Sequence, residues 1–123
     1  MPADPTIAAD NPDATLAHEP DLHPAVLRFC DAARQQFADR LERIVLYGSR
    51  ARGDHRPDSD YDIAIFVRDL DNAYVEYKPL AGLMMQILAD DDIEINADLH
   101  AAGIWRTSPV PLMRNIRHEG IDL

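Results

Sequence analysis

The sequence predicts a single α/β (α+β) domain, and three observations carry that reading. Apolar residues Val26, Cys30, Ala33, Phe37 and Leu41 recur at steps of three and four, which lays one stripe along an amphipathic helix over residues 24–41. Two runs of strand formers follow, Arg43–Tyr47 (RIVLY) and Asp60–Val67 (DYDIAIFV), separated by a charged loop carrying Gly53 and Pro57. Beyond them the period switches back to helical and then to a strict alternation over residues 93–99 (IEINADL). A chain of 123 residues is the size of one domain, long enough for one core and too short for two.

Each element has its own justification. Residues 1–21 are rich in Pro, Ala and Asp without a period and read as a flexible acidic leader, leaving residues 22–123 as the folded domain. Pro24 suits the first turn of a helix, where its missing N–H costs nothing. Gly48 closes the first strand, and the segment Ser49–Ser59 reads as a short helical turn followed by a loop. Leu80, Leu83, Met84, Ile87 and Leu88 form a helical face, with Pro79 either opening that helix or kinking one that begins near Ala73. In the third strand Ile93, Ile95, Ala97 and Leu99 oppose Glu94, Asn96, Asp98 and His100, and the preceding Asp90–Asp92 run reads as a solvated turn. Residues 110–118 form a closing helix whose basic Arg114, Arg117 and His118 suit the negative end of its dipole, with Trp105 as an apolar anchor ahead of it.

Composition excludes several functions. The apolar fraction is 46% with no apolar run near eighteen residues, so no membrane span is expected, and the N-terminus lacks the basic start and apolar block of a secretory signal. The expected location is cytoplasmic. A formal net charge of −10, half of it from five acids in residues 1–22, repels a phosphate backbone, so direct nucleic-acid binding is not expected and a basic protein partner is easier to accommodate. The lone Cys30 among Val26, Phe29 and Ala33 reads as a small buried hydrophobe.

The chemistry concentrates in YGSRARGDHRPDSDYDIAIFV, residues 47–67. Residues two apart on a strand point the same way about 6.6 to 6.8 Å apart, so Asp60 and Asp62 present their carboxylates side by side. Two such anions need a neutralising partner. Mg²⁺ meets that need, because it prefers oxygen ligands and is usually held by one or two carboxylates plus substrate phosphates. Gly48 lets a ligand approach the backbone, Ser49 offers a hydroxyl and an N–H for phosphate oxygens, and Arg50 and Arg52 can counter the remaining triphosphate charge. His55 and His100 belong to no metal-ligand spacing and read as ordinary surface or strand-edge histidines.

Gly48-Ser49, ten intervening residues and then Asp60-x-Asp62 resembles the signature of the DNA polymerase beta-type nucleotidyltransferases, and YGSRARG with SDYDIAIF is similar to their minimal nucleotidyltransferase (MNT) branch. The similarity runs from about Leu41 through the closing PLMRNIRHEGIDL and leaves out the leader. The resemblance implies a nucleotidyltransferase fold with helices on a small mixed sheet and Mg²⁺-dependent transfer of a nucleoside monophosphate from a nucleoside triphosphate such as ATP. Many small members resemble antitoxins that silence a HEPN-domain ribonuclease toxin, in some cases by adenylylating (AMPylating) a tyrosine. Carried over, Gly48 and Ser49 hold the β- and γ-phosphates and Asp60 and Asp62 ligate the metals. The third carboxylate falls on the next strand, where Glu94 is favoured for its place at the strand's start and Asp98 lies on the same polar face. Glu94 departs from the usual aspartate, and its extra methylene shifts a positioned base by more than an ångström. An alternative follows from that departure: an antitoxin that keeps the fold, is catalytically weak, and blocks its toxin by contact.

Overall fold

The computed structural model describes residues 21–123, so the leader predicted over residues 1–21 lies, but for its last residue, outside the described part of the chain. The described chain forms helix α1 (Pro24–Phe37), a 3₁₀ turn (Ala38–Arg40), strand β1 (Leu41–Tyr47), the short helix α2 (Ser49–Arg52), strand β2 (Tyr61–Val67) and helix α3 (Ala73–Asp91). Strand β3 (Ile95–Ala101), helices α4 (Ile104–Thr107) and α5 (Pro111–Glu119), and the two-residue strand β4 (Ile121–Asp122) complete it. The four strands make one mixed sheet in the order β3-β2-β1-β4.

Local sequence explains the ends of these elements. Pro24 occupies the first turn of α1, and His23 caps it by accepting the Ala25 N–H on Nδ1 at 3.0 Å. The stripe predicted to reach Leu41 stops as α-helix at Phe37, and Leu41 becomes the first residue of β1. Helix α3 runs unbroken from Ala73 through Pro79, with Asn72 capping it through Val75 N at 3.2 Å. It also absorbs Asp90 and Asp91, predicted as a solvated turn; Asp91 pairs with Arg28 of α1 at 2.9 Å, and the turn falls at Asp92 in the left-handed region.

Sheet register decides what each face presents. β1 and β2 are antiparallel, with Tyr47 opposite Asp62 and Leu46 opposite Ile63. β2 and β3 are parallel, with Asp62 opposite Asn96 and Ala64 opposite Asp98, and α3 is the crossover a parallel pair requires. One face is apolar throughout: Ile44, Leu46, Ile63, Ile65, Ile95 and Ala97 pack under α1 and α3 through Val26, Phe29, Ala33, Phe37, Leu80 and Ile87, all buried. Cys30 lies in this core, and burial pushes its thiol up to about 11, so it packs as the expected hydrophobe. The other face is covered at one end only, where α5 sets Met113 and Ile116 on Val45, Ala64 and Phe66. Trp105 packs beside them as anticipated, with its indole N–H donated to Glu42 at 3.1 Å.

β3 begins at Ile95, two residues later than its alternation suggested, because pairing with β2 starts at Tyr61–Ile95. Strand β4 is too short to carry a period and had no sequence signal; it adds to the edge by pairing Ile121 with Leu46 and Asp122 with Val45. Among the described residues, no helix is long and apolar enough to cross a membrane.

Candidate active site

The antiparallel β1–β2 pair brings the end of one strand and the start of the other to the same edge of the sheet, so residues 48–49 and 60–62 meet in space. Gly48 follows β1 with φ +78°, a region L side chains rarely adopt. A Cβ added there would collide with Oδ2 of Asp62. No residue but glycine lets the turn lie this close to the carboxylate. Gly53 ends α2 in the left-handed conformation and turns the chain into the loop that leads to Asp60.

Asp60 and Asp62 share a face as their two-residue spacing predicts, and Asn96 of the neighbouring strand sits beside them, donating its amide to Oδ2 of Asp60 at 2.8 Å. Asp62 is half-buried, and its proton affinity is raised, first by burial and then by the like charges of Asp60 and Glu119; Asn96 and Arg52 oppose the shift. Tyr47 looks onto the same face. Burial and the charges of Asp62 and Asp98 push its hydroxyl up to about 12. Burial is the larger cause of both shifts, and the neighbouring acids add to it.

The two candidates for a third carboxylate separate in the structure. Asp98 lies within β3 on the face of Asn96 and Asp62, opposite Ala64, one β-repeat further along. Glu94 precedes β3; its carbonyl accepts the Tyr61 N–H at 2.9 Å, and the residue borders clefts shared with Leu88 of α3 and with Arg50 and the Pro57–Ser59 turn. By the same register Glu94 falls opposite Asp60, one residue ahead of the first paired position of β3. Among the described residues, no three His, Cys, Asp or Glu converge closely enough to hold a metal by themselves. The donors present, two hard carboxylates with an amide beside them, fit an Mg²⁺ ion that arrives with the phosphates it also binds.

Arg50 and Arg52 also divide. Arg50, expected to counter a triphosphate, is buried: it donates to the carbonyls of Ser59 and Pro57 at 3.0 and 3.1 Å, and its guanidinium lies 4.2 Å from the Tyr61 ring centroid. It clamps the loop that delivers Asp60. Arg52 is half-exposed and engages Asp54 at 3.2 Å and Glu119 at 3.3 Å. Glu119 also accepts the Gly48 N–H at 2.8 Å. That contact escapes sequence periodicity, although an acid as the last residue of a helix, against the dipole, is a detectable oddity. His55 and His100 each bury one ring nitrogen without a partner, and burial lowers the proton affinity of His100, which lies against Phe66 with ring centroids 5.4 Å apart.

With this geometry in place, comparison with known proteins gives one consistent answer. Residues 33–123 match the family described as Polymerase beta, Nucleotidyltransferase. The chain is 32% identical over 97 residues to MJ0604 of Methanocaldococcus jannaschii, which carries a proposed assignment as a protein adenylyltransferase; the match covers 78% of this chain and 91% of that one. It is 34% identical over 59 residues to the protein adenylyltransferase MntA of Aphanizomenon flos-aquae, covering 47% of this chain and 39% of the relative. Among solved structures, a toxin-antitoxin with AMP-PNP superposes with a TM-score of 0.52 at 20% identity, over 80% of this chain and 69% of that one. A mutant of the toxin-antitoxin MntA-HpeT gives 0.53 at 18%, over 82% and 72%. These last two likenesses establish the fold, and the sequence matches establish the lineage: the chain belongs to the polymerase beta-type nucleotidyltransferases.

Proposed function

We propose that the protein is an adenylyltransferase that moves AMP from ATP to a hydroxyl group of a partner protein, a tyrosine of a HEPN-type ribonuclease toxin, and so acts as its antitoxin. The observation that carries the proposal is the packing of Gly48 against the Asp62 carboxylate, which joins a turn open to phosphate with a pair of acids suited to a cation. The adenylyltransferase relatives MJ0604 and MntA support the reaction class, and the toxin-antitoxin neighbours support the biological setting.

In this reading Gly48 contributes the absence of a side chain, and Ser49 contributes its hydroxyl and N–H to the β- and γ-phosphates. Asp60 and Asp62 hold Mg²⁺, which when bound neutralises charge on the α-phosphate and the leaving oxygens. Asn96 orients Asp60. Asp98, which lies on the face of Asp62, serves as the third acid that orients the acceptor hydroxyl and takes its proton, with Glu94 as the other candidate on that face. The new bond joins the acceptor oxygen to the α-phosphorus, the bond to the bridging oxygen breaks, and pyrophosphate leaves.

The test is label transfer. The chain, incubated with α-labelled ATP, Mg²⁺ and its helical partner protein, should label that partner on tyrosine. Asp60→Ala with Asp62→Ala should reduce labelling at least 1,000-fold, about 4 kcal/mol of transition-state stabilisation, without unfolding the chain. No labelling of the partner with any nucleoside triphosphate rejects the reaction. If the double variant still neutralises the toxin in cells, contact alone suffices.

A further inference from the structure

Glu119 is the last residue of α5, and its carboxylate stands where simple electrostatics would not put one. The carbonyl end of a helix repels an anion, and Glu119 adds to the negative charge around Asp62. Its surroundings nevertheless fix it there. Gly120 leaves the helix in extended conformation with its N–H on the Ile116 carbonyl at 2.9 Å, and a Cβ at Gly120 would lie 2.6 Å from Val45 Cγ1, so the end of α5 is pressed onto β1. The carboxylate, only 21% exposed, then reaches the Gly48 N–H at 2.8 Å and Arg52 Nη1 at 3.3 and 3.4 Å through its two oxygens. Arg52 is held from its other side by Asp54 at 3.2 Å.

An acid that is unfavourable for its helix and for its anionic neighbour, yet bonded to the phosphate-holding turn, has the character of a group kept for function at some expense of stability. The geometry points to Glu119 as a positioning residue: it fixes the backbone of Gly48 by accepting its N–H and aims the Arg52 guanidinium along the turn, so that both stand ready for a nucleotide's phosphates. This rests on the reading of the Gly48–Ser49 turn as the phosphate holder. Glu119 itself touches neither nucleotide nor acceptor.

The experiment compares full-length wild type, Glu119→Ala and Glu119→Gln in three readouts: calorimetric binding of ATP with Mg²⁺, the thermal midpoint, and the amide resonance of Gly48. Losing the acceptor that fixes the Gly48 N–H and aims Arg52 should weaken ATP binding about tenfold in Glu119→Ala, which is about 1.4 kcal/mol. Glu119→Gln, which keeps an oxygen for the Gly48 N–H, should stay within about threefold, since a neutral acceptor retains about half the bond. The Gly48 amide proton should move upfield in Glu119→Ala, and Glu119→Gln should keep the wild-type thermal midpoint. In transfer assays KM for ATP rises while KM for the acceptor protein does not. Unchanged or tighter ATP binding by Glu119→Ala overturns the inference, as does a midpoint that falls in step with affinity in both variants. If wild type binds no ATP while the Gly48 amide still responds to Glu119→Ala, the contact exists but the phosphate reading fails, and the inference fails with it.

Discussion

The two faces of the sheet are built from the same strands and treated oppositely. Under α1 and α3 every inward side chain of β1 and β2 from Ile44 to Val67 is apolar and buried, and Tyr61, Ile63, Ile65 and Val67 continue the layer without a gap. On the reverse face α5 sets Met113 and Ile116 over Val45, Ala64 and Phe66, while Asp98 lies beside Ala64 and the surface beyond turns to Asp62, Asn96 and Asp60. Helix coverage stops where carboxylates begin. The closed face supplies stability through apolar burial, and the open end of the other face gathers charges that repel one another.

The largest effect should come from breaking the closed face. Ile65→Ala empties a fully buried position between two helices and β1, and should cost about 2–5 kcal/mol in urea unfolding. ATP affinity, measured under conditions where that variant is folded, should stay near wild type. If affinity collapses with the fold intact, the two faces are coupled more tightly than their separate packing implies.

Gly48→Ala acts on the open end. It forces a Cβ into the left-handed region and against Asp62, and should cost about 1–3 kcal/mol of backbone strain while abolishing nucleotide binding. A variant that binds ATP normally would show that the close approach of turn and carboxylate is not needed.

Arg50→Ala sharpens the distinction between the two arginines. Because Arg50 clamps the Pro57–Ser59 carbonyls and stacks on Tyr61, its loss should lower stability by about 1–3 kcal/mol. Charge screening of the triphosphate should be unaffected, so the salt dependence of ATP binding is unchanged in this variant and shallower in Arg52→Ala.

The smallest effect, and opposite in sign, belongs to Asp62→Asn. The folded-state proton affinity of Asp62 is raised above its ordinary 3.8. The native state therefore binds more protons than the unfolded chain in the window above that value, and wild-type stability falls as pH rises through it. Without nucleotide or metal, Asp62→Asn should be more stable than wild type at neutral pH by about 0.5–1 kcal/mol, with the difference shrinking as pH falls toward 3.8, and it should be inactive in transfer. Equal stability across that range would remove the argument that the pair is held against its own repulsion.

Much of this arrangement is legible in the residues. Strand alternation places Asp60 and Asp62 on one face, and the spaced Gly48-Ser49 motif ties them to a turn, because both rest on local geometry that neighbours do not alter. The same alternation misled at β3. It made Ile93 the first strand residue, but pairing with Tyr61 begins at Ile95. Arg50 and Arg52 look alike in sequence and differ in fate because the Tyr61 ring and two loop carbonyls capture only the first. Nothing in the order of residues joins Glu119 to Gly48, which are 71 positions apart.

By itself the sequence determined the class of fold, the helix and strand periods, the buried role of Cys30 and the kind of ligand its paired acids and glycine turn suit, since each depends on side-chain chemistry and backbone preferences within a few residues. Only the tertiary structure decided where the third strand begins, which loop Arg50 clamps, and what holds the turn in place. Those outcomes depend on strand register and on how the end of α5 meets β1, and register is fixed by the sum of many distant contacts rather than by any single local one.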